Sequence, residues 1–367
     1  MKFKTAGLLR SLVRSGKRMT KLLAAATAPA PKPKRKRKPI STTPQGGKVG
    51  SDPVRGPTPA SAVRGQRSSV PGKWLASHLT AHGHRMSYWL YIPNNLPEPA
   101  ARKGLPLVVM LHGCQQTATQ FAQGTRMNHW AEQMGYAVLY PQQLVSTHAQ
   151  RCWKWYDRAT QEGGGDVPLI VGIVNKVLTE YAIDRSRIYI AGISAGAGMA
   201  NIVALNHPRM FAAVGMHSGP VFGAGHSTMG ALGVMRHGAG MRADLAAHEV
   251  LTRQPQFPGM PAILIQGEGD NVVRPINQMQ LTRQSLLLNR LADTPKITHK
   301  PQGRGGSRNA HRLHDFYAGR KLLLRVAQIE QLEHAWSGGD PALAFNAKAG
   351  PDASKMMLEF FSRHQRT

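Results

Sequence analysis

Seven short apolar runs lie between residues 88 and 329, and helix-length segments separate several of them. The clearest, Leu105 to Leu111, carries no charge and ends in His112-Gly113, the pattern of a central parallel strand buried on both faces. Residues 88–92, 137–140, 187–192, 212–216, 261–267 and 322–329 read as the other strands. Residues 167–181, 195–206, 276–291 and 352–363 read as helices, the second ending before Pro208. Strands alternating with helices of this size predict an α/β fold, a mostly parallel sheet covered by helices on both faces. With 41% hydrophobic residues in 367, the chain has material for one large domain with an appendage.

Charge locates the appendage. The chain carries 47 Lys and Arg against 19 Asp and Glu, a net +28, and residues 1–73 hold eighteen of the basic residues with a single acidic one. Residues 29–72 are rich in Pro, Gly and Ser and include Lys32-Pro33-Lys34-Arg35-Lys36-Arg37-Lys38-Pro39, a segment that repels itself and has little to bury. A largely disordered basic arm is therefore expected over 1–72, and the folded domain over 73–367. Leu8, Leu9, Leu12 and Met19 recur at helical spacing, which fits a short basic amphipathic helix at the start. An export signal with residues 22–28 as its apolar region is the competing reading, although that stretch is at the very short end, Ala-weak and follows a long basic region. The arm reads either as a solvated tail or as an electrostatic contact to nucleic acid or an anionic surface. No apolar run is long enough for a membrane-spanning helix. Two cysteines exclude a disulfide-rich scaffold, and Cys114 and Cys152 are too far apart for a CxxC zinc or redox motif.

The strongest local signal is Gly192-Ile193-Ser194-Ala195-Gly196, a GxSxG between a predicted buried strand and a predicted helix. There the serine occupies a tight turn, the glycines relieve crowding, and the helix N-terminus favours negative charge. A serine hydroxyl is a weak nucleophile until a histidine takes its proton and a carboxylate orients that histidine. On such a fold the acid and then the histidine follow in loops at the carboxyl ends of later strands. Asp270, just past the 261–267 strand, fits the acid; Glu268 is its near rival, while Asp315 and Asp340 have no clear strand leading into them. Of His299, His311, His314, His334 and His364, only His334 sits just beyond the last predicted strand. His311 and His314 lie in a polar Arg/Gly-rich stretch expected at the surface. The oxyanion donors are expected to be the backbone N–H groups of Ala195 and of Cys114, which follows the 105–111 strand. Trp153, Trp155 and Trp336 are candidates for an apolar substrate wall, with burial in the core as the alternative. Cys114 and Cys152 each follow a predicted strand, so an oxidising compartment would allow a disulfide that pins the oxyanion loop. The chemistry calls for no metal and no cofactor.

Further motifs accompany these residues: Leu107 through Thr117, Met127-Asn128, Tyr140-Pro141-Gln142-Gln143, Cys152-Trp153-Lys154-Trp155-Tyr156, Val273 and Asn277 after Asp270, and His334-Ala335-Trp336-Ser337-Gly338-Gly339. Together they resemble the esterase family that includes poly(3-hydroxybutyrate) depolymerases. The likeness runs from about Ser87 to the C-terminus. It implies an α/β-hydrolase with a Ser194–Asp270–His334 triad, acting through an acyl-enzyme on polyhydroxyalkanoate or hydroxyacyl oligomer esters. Relatives that cleave feruloyl or acetyl esters on polysaccharide supply the alternative substrate class, and polyanion binding through the arm is an alternative of another kind. Polymer-degrading members resemble modular proteins with a polymer-binding domain after the catalytic one, whereas this sequence ends at Thr367, just after its closing helix. Many members are exported, so the resemblance implies an extracellular location; the cytoplasm is the alternative, for want of a clean signal peptide.

Overall fold

A computed structural model describes residues 71–81, 83–96 and 103–366. The expected arm, apart from Pro71 and Gly72, and the turn residue His82 lie outside the described residues. Ten strands form one sheet: β1 (Lys73–Ala81), β2 (His84–Ile92), β3 (Leu105–Leu111), β4 (Ala137–Gln142), β5 (Ile183–Ile193), β6 (Ala213–His217), β7 (Ala262–Gly267), β8 (Lys296–Lys300), β9 (His311–Ala318) and β10 (Lys321–Ile329). Their order is β1-β2-β4-β3-β5-β6-β7-β10-β9-β8. The block from β4 to β10 is parallel, and an antiparallel pair flanks it on each side. The helices are α1 (Ala118–Thr125), α2 (Met127–Met134), α3 (Arg158–Gln161), α4 (Val167–Glu180), α5 (Ala195–Asn206), α6 (Thr228–His237), α7 (Arg242–Arg253), α8 (Ile276–Asn289) and α9 (Ala353–Phe361).

The apolar run of β3 is explained by its two faces. Leu107, Val109 and Leu111 enter one core with residues of α4 to α8, while Val108 and Met110 enter the other with α1, α2 and α9. A strand buried on both sides has no place for a polar residue, and each such side chain contributes roughly 1.5–3 kcal/mol by leaving water. Helix α4 presents Val167, Ile170, Val174 and Val177 at helical spacing to its core and carries Pro168 in its first turn. Every residue of α5 but its last is buried. The small residues Ala195, Gly196, Ala197 and Gly198 let that helix lie close against the sheet. No helix among the described residues is long and apolar enough to cross a membrane.

The structure has more elements than the apolar runs reveal. β1 pairs antiparallel with β2 along its whole length, although its burial alternates weakly and it looks polar from outside. The stretch around His311 and His314, expected as a polar surface segment, instead forms β9 between β8 and β10. His311 is buried there, and Asp315 is buried through a two-pronged ion pair in which Arg325 Nε and Nη2 donate at 2.7 and 2.6 Å. A charge pair on neighbouring strands thus replaces the apolar signal that would have marked a strand.

Leu107 is fully enclosed. Leu107→Ala is expected to lower the unfolding free energy by about 2–5 kcal/mol, read as a reduced urea midpoint at unchanged slope.

Candidate active site

Ser194 sits between β5 and α5 with φ 55° and ψ −124°, a backbone region that side-chain-bearing residues rarely occupy and that costs on the order of 1–3 kcal/mol. Its N–H donates to His217 O at 2.9 Å, and its carbonyl accepts from Gly198 N at 3.1 Å. The hydroxyl does not cap the helix, so it is left to other partners. Close approach explains the glycines: a Cβ on Gly196 would overlap the carbonyl oxygens of Leu111 and His112, and one on Gly192 would overlap Gly196 and Leu111. The end of β3 and the serine turn are therefore in direct contact.

Asp270, three residues past β7, is buried and makes four hydrogen bonds. Oδ1 accepts from Val272 N and Val273 N, each at 2.9 Å, and Oδ2 accepts from Gln266 Nε2 at 3.0 Å and His334 Nδ1 at 2.8 Å. Burial pushes this carboxyl up, but the bond and charge of His334 and the two valine amides outweigh it and hold it below the usual carboxylate range. With Nδ1–H committed to Asp270, the lone pair of His334 Nε2 is the one available to take a proton. Among the described residues His334 is the histidine paired with a carboxylate. The rival acids are engaged elsewhere: Glu268 with Arg312, Asp315 with Arg325, and Asp340 with the amide of Ala342.

The loop after β3 offers one amide. Gly113 N donates to Gln116 Oε1 at 2.8 Å, Gln115 N to Gln150 O at 2.6 Å, and Gln116 N to Gly113 O at 3.4 Å, whereas the Cys114 N–H has no acceptor among the described residues. Ala195 N–H, in the first turn of α5, is likewise without an intrahelical acceptor. A Cys114–Cys152 disulfide, Cα–Cα 4.3 Å, joins this loop to the 148–155 segment. His112 is fully buried, and burial takes its imidazole down to about 4, so it is neutral. It accepts from Gln143 N through Nε2 at 3.1 Å. A cleft of about 790 Å³ lies between the β1–β2 turn, at His84 and Arg85, and the segment carrying Gln143, Lys154, Asp157 and Asp166, and neither the loop after β3 nor Ser194, Asp270 or His334 lines it. A cavity of about 1020 Å³ between α7, α8 and β9–β10 is lined by His314 but by none of Ser194, Asp270, His334, Cys114 and Ala195.

The tryptophans do not form the exposed wall that was one expectation. Trp153 and Trp336 have no exposed surface and Trp155 has 4%. Two of the indoles have a buried acceptor, Trp153 Nε1 donating to His112 O at 2.9 Å and Trp336 Nε1 to Ser354 Oγ at 3.2 Å, while Trp155 packs beside Gly198. His217 and Gln266, both buried polar residues at strand ends, touch the site and were missed from sequence. Their only signal was position near the carboxyl end of a strand beside the serine strand or leading to the acid. Among the described residues no three His, Cys, Asp or Glu side chains converge to hold a metal ion.

The Esterase PHB depolymerase family matches residues 86–306, more than half of the chain. The chain belongs to this family. The match spans Ser194 and Asp270, and His334 lies beyond it. This family member is 32% identical over 153 residues to acetylxylan esterase A of Emericella nidulans, covering 40% of this chain and 47% of that protein. It is 28% identical over 236 residues to poly(3-hydroxyalkanoate) depolymerase C of Paucimonas lemoignei, covering 63% of this chain and 55% of that protein. The chain thus spans about half the length of these curated relatives. A solved acetyl xylan esterase from Aspergillus awamori has the same fold, with TM-score 0.61 and 20% identity over 78% of this chain and 99% of that one. The fold is that of an α/β-hydrolase.

The disulfide closes a loop with sequence separation 38. Cys152→Ser is expected to cost about 2–4 kcal/mol, measured by chemical denaturation, and thiol titration of the unfolded, unreduced parent should find no free thiol. The depressed Asp270 carboxyl contributes stability that is full above its unfolded value of about 4 and is lost as pH falls through the lower folded value. Asp270→Asn should therefore flatten the stability profile below about pH 4, followed by equilibrium unfolding at stepped pH.

Proposed function

We propose that this chain is a serine carboxylic-ester hydrolase with Ser194 as nucleophile, His334 as general base and Asp270 as the orienting acid. The observation that carries the reading is the 2.8 Å bond between His334 Nδ1 and Asp270 Oδ2, at the same sheet edge as a serine held in a strained strand-to-helix turn. In the first step His334 Nε2 takes the Ser194 hydroxyl proton as Oγ attacks the ester carbonyl. The Cys114 and Ala195 amides hold the oxyanion, and the imidazolium returns its proton to the leaving alcohol. Water, deprotonated by the same imidazole, then cleaves the acyl-enzyme and releases the acid. Asp270 keeps its charge throughout and stabilises the transient imidazolium.

The substrate class we favour is a polyhydroxyalkanoate or hydroxyacyl oligomer ester, in line with the family and with the depolymerase relative. Acetyl or feruloyl esters on polysaccharide are the second reading, favoured by the likeness to acetylxylan esterase A. We read residues 1–72 as a basic arm that brings the domain at 73–367 to an anionic surface or nucleic acid. The disulfide supports an extracellular or otherwise oxidising location.

Ser194→Ala is expected to lower kcat on a short-chain p-nitrophenyl ester by at least about 10⁴-fold with an unchanged circular dichroism spectrum; undiminished turnover would remove the proposed nucleophile. Rates on soluble hydroxybutyrate trimers, polymer granules, acetylated xylan and methyl ferulate then rank the substrate classes. Deleting residues 1–72 should abolish salt-sensitive binding to anionic vesicles or DNA if the arm is the attachment.

A further inference from the structure

His217, the last residue of β6, has no exposed surface, yet it touches both chain segments that carry the serine and the histidine. Its carbonyl accepts the Ser194 N–H at 2.9 Å and so helps hold the strained turn. Its Nε2 lies 3.3 Å from Ser337 N, three residues beyond His334, and its ring stacks on Trp336 with centroids 5.0 Å apart and planes at 24°. On the sheet it stands level with Ile193, which precedes Ser194, and with Ile265 on the strand that leads to Asp270.

We propose that His217 is a positioning residue of the hydrolase site, whose imidazole fastens the loop bearing His334 to the strand end that holds the Ser194 turn. The inference rests on the hydrolase reading above and adds a residue to it. A backbone N–H is only ever a donor, so the Ser337 contact requires a lone pair on Nε2. The proton of the neutral ring then sits on Nδ1, which donates to Ser218 Oγ at 3.1 Å. Burial, with the nearby His334 acting the same way, lowers this imidazole to about 3, against a smaller upward pull from Asp270. A neutral acceptor is what the place needs. An imidazolium there would have no acceptor for its second N–H and would set a positive charge beside the histidine that must itself become positive during turnover. The stack on Trp336 fixes the plane of the ring, so the Ser337 amide and the loop behind it are held at one height relative to the serine.

The test compares His217→Phe, which keeps a stacking ring and loses the acceptor, with His217→Gln, which returns an acceptor near the Nε2 position. On a p-nitrophenyl ester, His217→Phe is expected to lose about 10- to 100-fold in kcat with KM within about twofold, because binding is intact and alignment is not. The acid limb of its kcat/KM profile should move, as the hydrogen bonds of His334 are altered, and His217→Gln should recover at least about a third of the parent kcat. Folding of each variant is followed by near-ultraviolet circular dichroism. If the Phe variant fails to fold, His217→Asn, whose side chain is too short to reach Ser337 N, takes its place beside the Gln variant. Parent-like kcat and pH profile in folded His217→Phe, or equal kcat in folded Asn and Gln variants, overturns the proposal. Ser194→Ala run in parallel separates this failure from that of the hydrolase reading: activity that survives loss of the serine rejects the site as a whole, whatever His217 does.

Discussion

The site depends on the common direction and register of four neighbouring strands, β5, β6, β7 and β10. Ile193, His217 and Ile265 are level across the first three, and Gly267 and Ile329 across the last two. Parallel strands leave the sheet at one edge, so the loops that follow them necessarily meet there. The loop lengths fit this geometry. Ser194 is the first residue after β5, Asp270 the third after β7 and His334 the fifth after β10. Three inter-strand steps from β5 to β10 amount to about 14 Å, within the roughly 17 Å that five extended residues reach. A one-residue slip of any of these strands would exchange the side chains packed in the two cores and shift its loop along the edge, so the packing that fixes the register also fixes the convergence.

Two costs are concentrated at that edge. Ser194 occupies a disfavoured backbone region, and Asp270 is a buried charge. The first is offset by close packing: Gly192 and Gly196 admit the carbonyls of β3 where no side chain would fit, and the buried length of α5 holds the turn in place. The second is offset by hydrogen bonds, since both carboxylate oxygens are doubly engaged and one partner is His334 itself. A buried carboxylate with fewer donors would neutralise and lose its hold on the imidazole. The same four bonds that make Asp270 tolerable therefore also set the tautomer and orientation of His334.

The parts of this arrangement written in apolar periodicity were legible in the sequence: β3, β7 and β10 to within a residue at each end, and α5 at both ends. The glycine spacing around Ser194 and the strand-end positions of Asp270 and His334 were legible because they follow from chain direction alone. What was not legible is what depends on a partner. β9 buries His311 and Asp315, and Asp315 is acceptable in a core only once Arg325 arrives from the next strand. The tryptophans read equally as a substrate wall or as core, because nothing in their spacing names the carbonyl that Trp153 finds or the hydroxyl that Trp336 finds. His217 carried no pattern at all, since one polar residue ending an apolar strand reads as the strand's exit to solvent.

His112 and His217 make a matched pair on either side of β5. His112 follows β3 and His217 ends β6, and both strands pair with β5. Each imidazole places Nδ1 against the residue next to it, Gly113 O at 2.8 Å and Ser218 Oγ at 3.1 Å, and turns Nε2 toward the amide of a neighbouring loop. One thereby braces the loop after β3 against the end of β4, and the other braces the His334 loop against the end of β6. Lysine or arginine has no acceptor to offer at either place, and a carboxylate would add charge; a buried imidazole is planar, accepts one bond, donates another and stays neutral. The arrangement has a cost at low pH. Both rings have folded values lowered by burial, to about 4 and about 3, while the unfolded chain takes up those protons near pH 6.5. Folding therefore loses stability as pH falls below that value, while in the folded protein both rings stay neutral, and both braces stay made, until pH approaches their lowered values.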